Sequence, residues 1–286
     1  TEWMKRPEVS AALTSLTIAQ NPIGAQGGTA LVEVLKSATS IEIINIGQPL
    51  PLKSQYESDC LDLSEKQMDV GQAIILAWWL SLPVSAALTS LTAIGNPHIG
   101  ESGANSLIKA FDSNPQLQTM CGIEPGSTVA DLSNKNMGPA DCLLLAHELQ
   151  VSRASAALTS LNVSGNTLSG SKCDSSTYYA WQHDLDLSGL IELGKGIAAS
   201  TTLSSISFAN CKMGPKAAAE MAKVCSVSAA LTSLTLDKNG IFGELDYRGR
   251  VKTPDKHAAE AQPFFDAIKA SGLTSLSLSG TGMGPV

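Results

Sequence analysis

One heptapeptide, Ser-Ala-Ala-Leu-Thr-Ser-Leu, occurs four times, at Ser10 to Leu16, Ser85 to Leu91, Ser155 to Leu161 and Ser228 to Leu234. Leu273-Thr274-Ser275-Leu276 repeats its last four residues. A chain that copies itself in this way must fold as stacked supersecondary units, because each unit alone buries too little apolar surface and neighbours have to share a core. The copied leucines Leu13, Leu88, Leu158 and Leu231 lie 75, 70 and 73 residues apart. That is too long for one strand and one helix, so the period is composite. Cys60 to Ser64 and Val129 to Ser133 carry the intervening, weaker copies.

Extending the first copy gives Leu13, Leu16, Ile18, Asn21, Ile23 and Gly24; Leu158, Leu161, Val163, Asn166 and Leu168 repeat the spacing, as do Leu231, Leu234, Leu236, Asn239 and Ile241. This pattern resembles the leucine-rich-repeat family. The repeat spacing of 28 residues, Leu13 to Ile41 and Leu203 to Leu231, is similar to that of its ribonuclease-inhibitor-like subclass. The resemblance implies an α/β solenoid, with a curved parallel sheet on the concave side and helices on the convex side. At the family's Asn/Cys position stand Asn21, Asn96, Asn166, Asn239 and Cys211, where an amide can satisfy backbone groups as the chain leaves the sheet.

Apolar residues recurring at i and i+3/i+4 predict helices over Gly24 to Ser37, Gly71 to Leu82, Gly100 to Asp112, Gly138 to Gln150, Gly214 to Cys225 and Pro263 to Ala270. Between Leu117 to Ile123 and Val129 to Ser133 there is no room for a crossover helix, which predicts a tight hairpin or an irregular doubling. The same grammar appears at Ile41 to Ile46 and Cys60 to Ser64, with an insertion at about 47–59 between them, and further insertions at about 167–183 and 242–262 are expected to be loops. The whole of 1–286 reads as one repeat domain, part of a longer or processed chain.

Composition narrows the function. With 19 Lys and Arg against 26 Asp and Glu, the net charge is −7, and no basic stripe is present to neutralise a phosphate backbone; nucleic acid is excluded as a partner. The longest apolar run, Ala73 to Leu82, is about half of the ~20 residues a membrane span needs, so no transmembrane segment is expected. The six cysteines, Cys60, Cys121, Cys142, Cys173, Cys211 and Cys225, form no C-x-x-C pair. They read as free, buried thiols, which favours a reducing intracellular compartment, cytosol or organelle interior. His98, His147, His183 and His257 are scattered, with no nucleophile–base or metal-ligand spacing. The reading is therefore non-enzymatic, without cofactor or metal.

The outward strand positions are small and hydroxylic: Ser15 and Thr17, Ser90 and Thr92, Ser160 and Asn162, Ser205 and Ser207, Ser233 and Thr235, Ser275 and Ser277. Such a face lacks the aromatic and Arg anchors that dominate interfaces. It is a bland ladder or a smooth floor for an extended partner. Asp62, Asp131 and Asp186 share one local context and either line up on the sheet or are solvated strand ends.

The helices serve as their own comparison. The position of Trp78 is Glu33, Lys109, His147 and Lys223 in the other aligned helices, a solvent-facing slot, so Trp78 is exposed for a partner or covered by the 47–59 insertion. Trp79 falls at a mixed slot, a partner contact or a residue packed on the helix flank. Further candidate contacts are Tyr56, the cluster Tyr178, Tyr179 and Trp181, and the cluster Tyr247, Arg248 and Arg250; packing of the insertions on themselves is the alternative. Peripheral membrane contact through Trp78 stays open, although the helix lacks flanking basic residues.

The residues thus read as a protein-interaction or scaffold module, and the resemblance admits an accessory subunit of a larger assembly. The alternative is a regulator of an enzyme, an inhibitor or GTPase activator acting through the repeat surface.

Overall fold

The computed structural model describes residues 12–174, 180–246 and 248–284. They form a mixed α/β structure of repeated strand–turn–helix segments, with seven α-helices among the described residues, and divide into two compact units, 1–122 and 123–286.

The first unit runs β1 (Ser15–Thr17), α1 (Gly24–Ser37), β2 (Ile43–Asn45), β3 (Pro49–Pro51), β4 (Cys60–Asp62), α2 (Val70–Trp79), β5 (Ser90–Thr92) and α3 (Gly100–Ser113). β1 and β2 pair in parallel, and β2 turns back into the antiparallel β3. Pro49 and Pro51 have no N–H to offer a further strand. The three-stranded sheet ends at β3, and β4 and β5 form a separate parallel pair. The parallel ladder expected throughout is therefore interrupted inside this unit.

The second unit runs β6 (Val129–Asp131), α4 (Pro139–Val151), β7 (Ser160–Asn162), β8 (Lys172–Asp174), β9 (Ala180–Gln182), α5 (Ser188–Ala199), β10 (Ser205–Ser207), α6 (Pro215–Val227), β11 (Ser233–Thr235), β12 (Glu244–Leu245), β13 (Val251–Thr253), α7 (Gln262–Lys269) and β14 (Ser275–Ser277). Five strands form one parallel sheet in the order β14-β11-β10-β7-β6. Ala130, Leu161, Ile206, Leu234 and Leu276 stand level across it. No hairpin joins 117–123 to 129–133. Thr119 and Cys121 bridge to β5, whereas β6 pairs with β7, so the unit boundary falls between them.

The insertions are not plain loops. β2–β3, β8–β9 and β12–β13 are antiparallel pairs.

The residues of the repeated heptapeptide have distinct roles. Its first serine joins helix end to strand start: Ser155 Oγ donates to Glu148 O at 3.0 Å, Ser155 O accepts from Leu158 N at 3.0 Å, and Ser228 Oγ accepts from Leu231 N at 3.2 Å. Its threonine reaches the preceding strand, with Thr159 Oγ1 donating to Thr128 O at 3.0 Å, Thr232 to Ser204 O at 3.2 Å and Thr274 to Thr232 O at 3.3 Å. Its leucines are core in three copies, with Leu88, Leu91, Leu158, Leu161, Leu231 and Leu234 at most 2% exposed, and half-buried in the first, Leu13 and Leu16.

Asn96, Asn166 and Asn239 do what their position predicts, whereas Asn21 is exposed and donates to Ala19 O at 3.0 Å. Asn166 Nδ2 donates to Leu132 O (2.9 Å) and Val163 O (2.8 Å), while its Oδ1 accepts from Lys135 N and Met137 N, both at 3.0 Å. Asn96 and Asn239 each bind the two equivalent carbonyls and accept from one equivalent N–H, that of Met68 and Met213. At the fifth position the Cys211 thiol points at Val163 O, 3.3 Å away.

Helix α5 is absent from the sequence reading, because Gly189, Gly194 and Gly196 lower helix propensity. They are there for contact. A Cβ on Gly189 would stand 1.9 Å from Pro139 O and one on Gly196 2.7 Å from Ala146 O, so α5 lies directly on α4.

Four cysteines are buried, but Cys60 and Cys173 are exposed, which corrects the uniform burial expected of them. Burial pushes the Cys142 thiol well up and those of Cys211 and Cys225 to about 12, leaving almost no thiolate at neutral pH. Iodoacetamide should therefore modify Cys60 and Cys173 in the native protein and the other four only after unfolding. Peptide mass mapping before and after urea checks this, and native labelling of Cys142 or Cys211 contradicts it.

Candidate functional site

The sheet face of the second unit is the regular surface. Ser160, Ser205, Ser233 and Ser275 stack in register, as do Asn162, Ser207, Thr235 and Ser277. Side chains this small offer little anchorage, and the large apolar residue level with them is the exposed Val129 of β6. The aspartates do not form a shared carboxylate array: Oδ1 of Asp62, Asp131 and Asp186 accepts from the backbone N–H of Ser64, Ser133 and Ser188 at 2.8, 3.0 and 3.0 Å. Ser133 accordingly holds the Asp131 carboxyl below its usual range. Among the described residues no three His, Cys, Asp or Glu side chains converge as a metal site.

In the first unit, the two adjacent tryptophans part ways. Trp79 is 0% exposed, its Nε1 donates to Pro51 O at 2.8 Å, and Tyr56 meets its ring edge-on at 5.4 Å. It is thus corrected from partner contact to core, because it fastens the inserted strand β3 to α2. Tyr56 belongs to the same packing. Its hydroxyl donates to Cys60 O at 3.3 Å, its N–H donates to Val84 O at 2.9 Å, and burial followed by Cys60 pushes its pKa up. Trp78 is half-buried, between the two alternatives foreseen for it. With Leu52 and Lys53 from the insertion, and with Leu35, Lys36 and Ile41, it lines a groove of about 310 Å³.

In the second unit, the two insertions meet. A cleft of about 260 Å³ is lined by Trp181 and His183 from the first, by Glu244, Leu245, Lys256 and His257 from the second, and by Asp184 and Lys216 at the start of α6. The Lys212 ammonium lies 5.2 Å from the Trp181 ring centroid, and its partial burial lowers its pKa. His183 Nδ1 donates to Lys212 O at 2.7 Å, which fixes the ring. The Lys256 ammonium, 2.9 Å from Glu244, holds that carboxyl below its usual range.

The two arginines do not line this cleft. The Arg250 guanidinium pairs with Asp246 at 2.7 Å, and the backbone N–H groups of Arg248 and Arg250 donate to the same carboxylate, each at 2.9 Å. Arg250 therefore closes the β12–β13 turn. Tyr178, Tyr179 and Tyr247 lie outside the described residues.

Asp184 is the residue that sequence reasoning missed. Its carboxylate accepts from Gly214 N (2.8 Å), Lys216 N and Ala217 N (both 3.1 Å), capping α6 from the preceding repeat. Asp69 reaches Gly24 N at 2.6 Å in the same manner. The contact spans about thirty residues, so no local period announces it. Asp184→Ala removes three charge-assisted bonds and should lower the stability of this unit by about 2 kcal/mol. Urea unfolding checks the value, and a loss below about 0.5 kcal/mol would contradict the capping role.

No protein-family model matches the chain, and no curated protein matches it. A solved structure, Leiomodin-1 Actin-Binding Site 2 (ABS2), aligns with 70% of this chain and 87% of its own at 13% identity and a TM-score of 0.33. A likeness at that level establishes neither fold nor role here. Among the described residues no helix is long and apolar enough to cross a membrane.

Proposed function

We propose that the chain is a leucine-rich-repeat solenoid of the ribonuclease-inhibitor-like subclass and acts as a non-enzymatic protein-interaction module, an accessory or scaffold subunit of a larger assembly. The repeated strand, Asn turn and helix support the first part. One observation carries the second: two insertions separated in sequence by α5, β10, α6 and β11 converge on one cleft, bringing an aromatic ring and several charged groups together, while the regular sheet offers mostly small polar side chains, with Val129 and Asp131 at its β6 edge. Interface energy concentrates on aromatic and charged anchors in concave sites rather than on uniform polar faces.

A photo-cross-linking residue placed at 181 or 216 tests this against one placed at 205 or 233. In extracts of the native source, 181 and 216 should capture the same protein, and Trp181→Ala should abolish its co-purification with the chain. Cross-links confined to 205 and 233, or co-purification that survives Trp181→Ala, would overturn the assignment.

A further inference from the structure

We propose that the groove beside Trp78 is a docking site for a peptide segment that presents an apolar side chain flanked by carboxylates. The groove lies in the other compact unit from the Trp181 cleft, so either site can fail without the other.

Its floor is apolar: half-buried Leu52, Trp78 and Leu82 lie beside buried Leu35 and Ile41. Among the described residues its only charged lining groups are Lys36 and Lys53. On a chain of net charge −7, an apolar groove whose two charged lining residues are both lysines runs against the overall balance, and the chemistry complementary to it is apolar and acidic. Both lysines are held by exposed carboxylates. Lys36 pairs with Glu33 at 2.7 Å and Lys53 with Glu42 at 3.8 Å, but the two glutamates are 66% and 61% exposed. Exposed pairs of this kind are weak, so a ligand carboxylate can take either glutamate's place at small cost.

Trp78 is not there for the helix. The same slot holds exposed Glu33, Lys109 and Lys223 and half-buried His147 in other helices, and Trp79 already fastens the insertion. A large ring at the edge of a groove is the kind of anchor an incoming apolar side chain packs against. A lipid surface fits less well, because interfacial insertion favours a protruding aromatic on a polybasic face, and here the ring lines a depression with two lysines.

The test is fluorescence anisotropy of the full chain with a fluorescein-labelled peptide of alternating Leu/Phe and Asp/Glu, and with its counterpart carrying Lys for every acid. The acidic peptide should bind about tenfold or more tightly than the basic one, Trp78→Ala should weaken it about tenfold, and Lys36→Glu with Lys53→Glu should reverse the preference. Trp181→Ala should leave all of this unchanged. If Trp78→Ala lowers the melting temperature, the exposed lysine variants decide. Equal binding of the two peptides, binding of neither, indifference to the lysine variants, or Trp78-dependent binding to phosphatidylserine vesicles instead of peptide would each overturn the proposal.

Discussion

Replacing Asn166 by alanine should lower the stability of the 123–286 unit by about 4 kcal/mol, on the basis of ~1–3 kcal/mol for each buried backbone group left unpaired. Four such groups depend on this amide: the carbonyls of Leu132 and Val163 and the N–H groups of Lys135 and Met137. Asn166 is 1% exposed, so water does not replace the lost partners without local opening. Asn166→Cys should recover part of the loss, since the Cys211 thiol at the equivalent turn contacts Val163 O at 3.3 Å and Ala209 O at 3.7 Å. A thiol can donate weakly but cannot accept well from two N–H groups. Urea unfolding followed by circular dichroism gives the ranking Asn, Cys, Ala; an Asn166→Ala variant with the same midpoint as the parent chain would remove the turn from the account of stability.

The adjacent tryptophans supply the second large effect. Trp79→Ala should cost about 4 kcal/mol, the range for emptying a large aromatic site in a core, because Trp79 is 0% exposed and bonded to Pro51 O. Trp79→Phe keeps most of the volume and leaves that carbonyl without its donor, for a loss of about 1–2 kcal/mol. Trp78→Ala, one residue earlier, should change stability by less than about 1 kcal/mol, since its ring lines an open groove. Beyond denaturation, limited proteolysis reads the local consequence: Trp79→Ala should expose the 47–59 insertion to cleavage, and Trp78→Ala should not. Similar protease sensitivity in both variants would contradict this division of labour.

Much of this arrangement is legible from residue types alone. The strands stand where Ser-Leu-Ser and Ser-Leu-Thr recur, since a leucine flanked by small polar residues marks one buried and two solvated positions. Six helices announce themselves by apolar spacing. α5 does not, because the glycines that let it lie against Pro139 and Ala146 erase the propensity signal. The insertions look like loops because strands of two or three residues are too short to show alternation. Aligning the helices with one another separates the slots of Trp78 and Trp79, yet the burial of Trp79 depends on where β3 folds back. Likewise the cleft around Trp181 depends on two hairpins meeting, and the cap from Asp184 on a contact between repeats; neither has a local pattern to betray it.

The near-identity of the strands has a consequence for how the chain reaches this state. β1, β5 and β11 are all Ser-Leu-Thr, so each could satisfy the hydrogen bonds of another's neighbour about equally well. A strand paired one repeat out of place would lose little at the ladder itself. What distinguishes the correct neighbour is off the ladder: Trp79 with Pro51, Gly189 with Pro139. These non-repeated contacts act as address labels, and a chain stripped of them would be expected to populate shifted, kinetically trapped pairings during refolding.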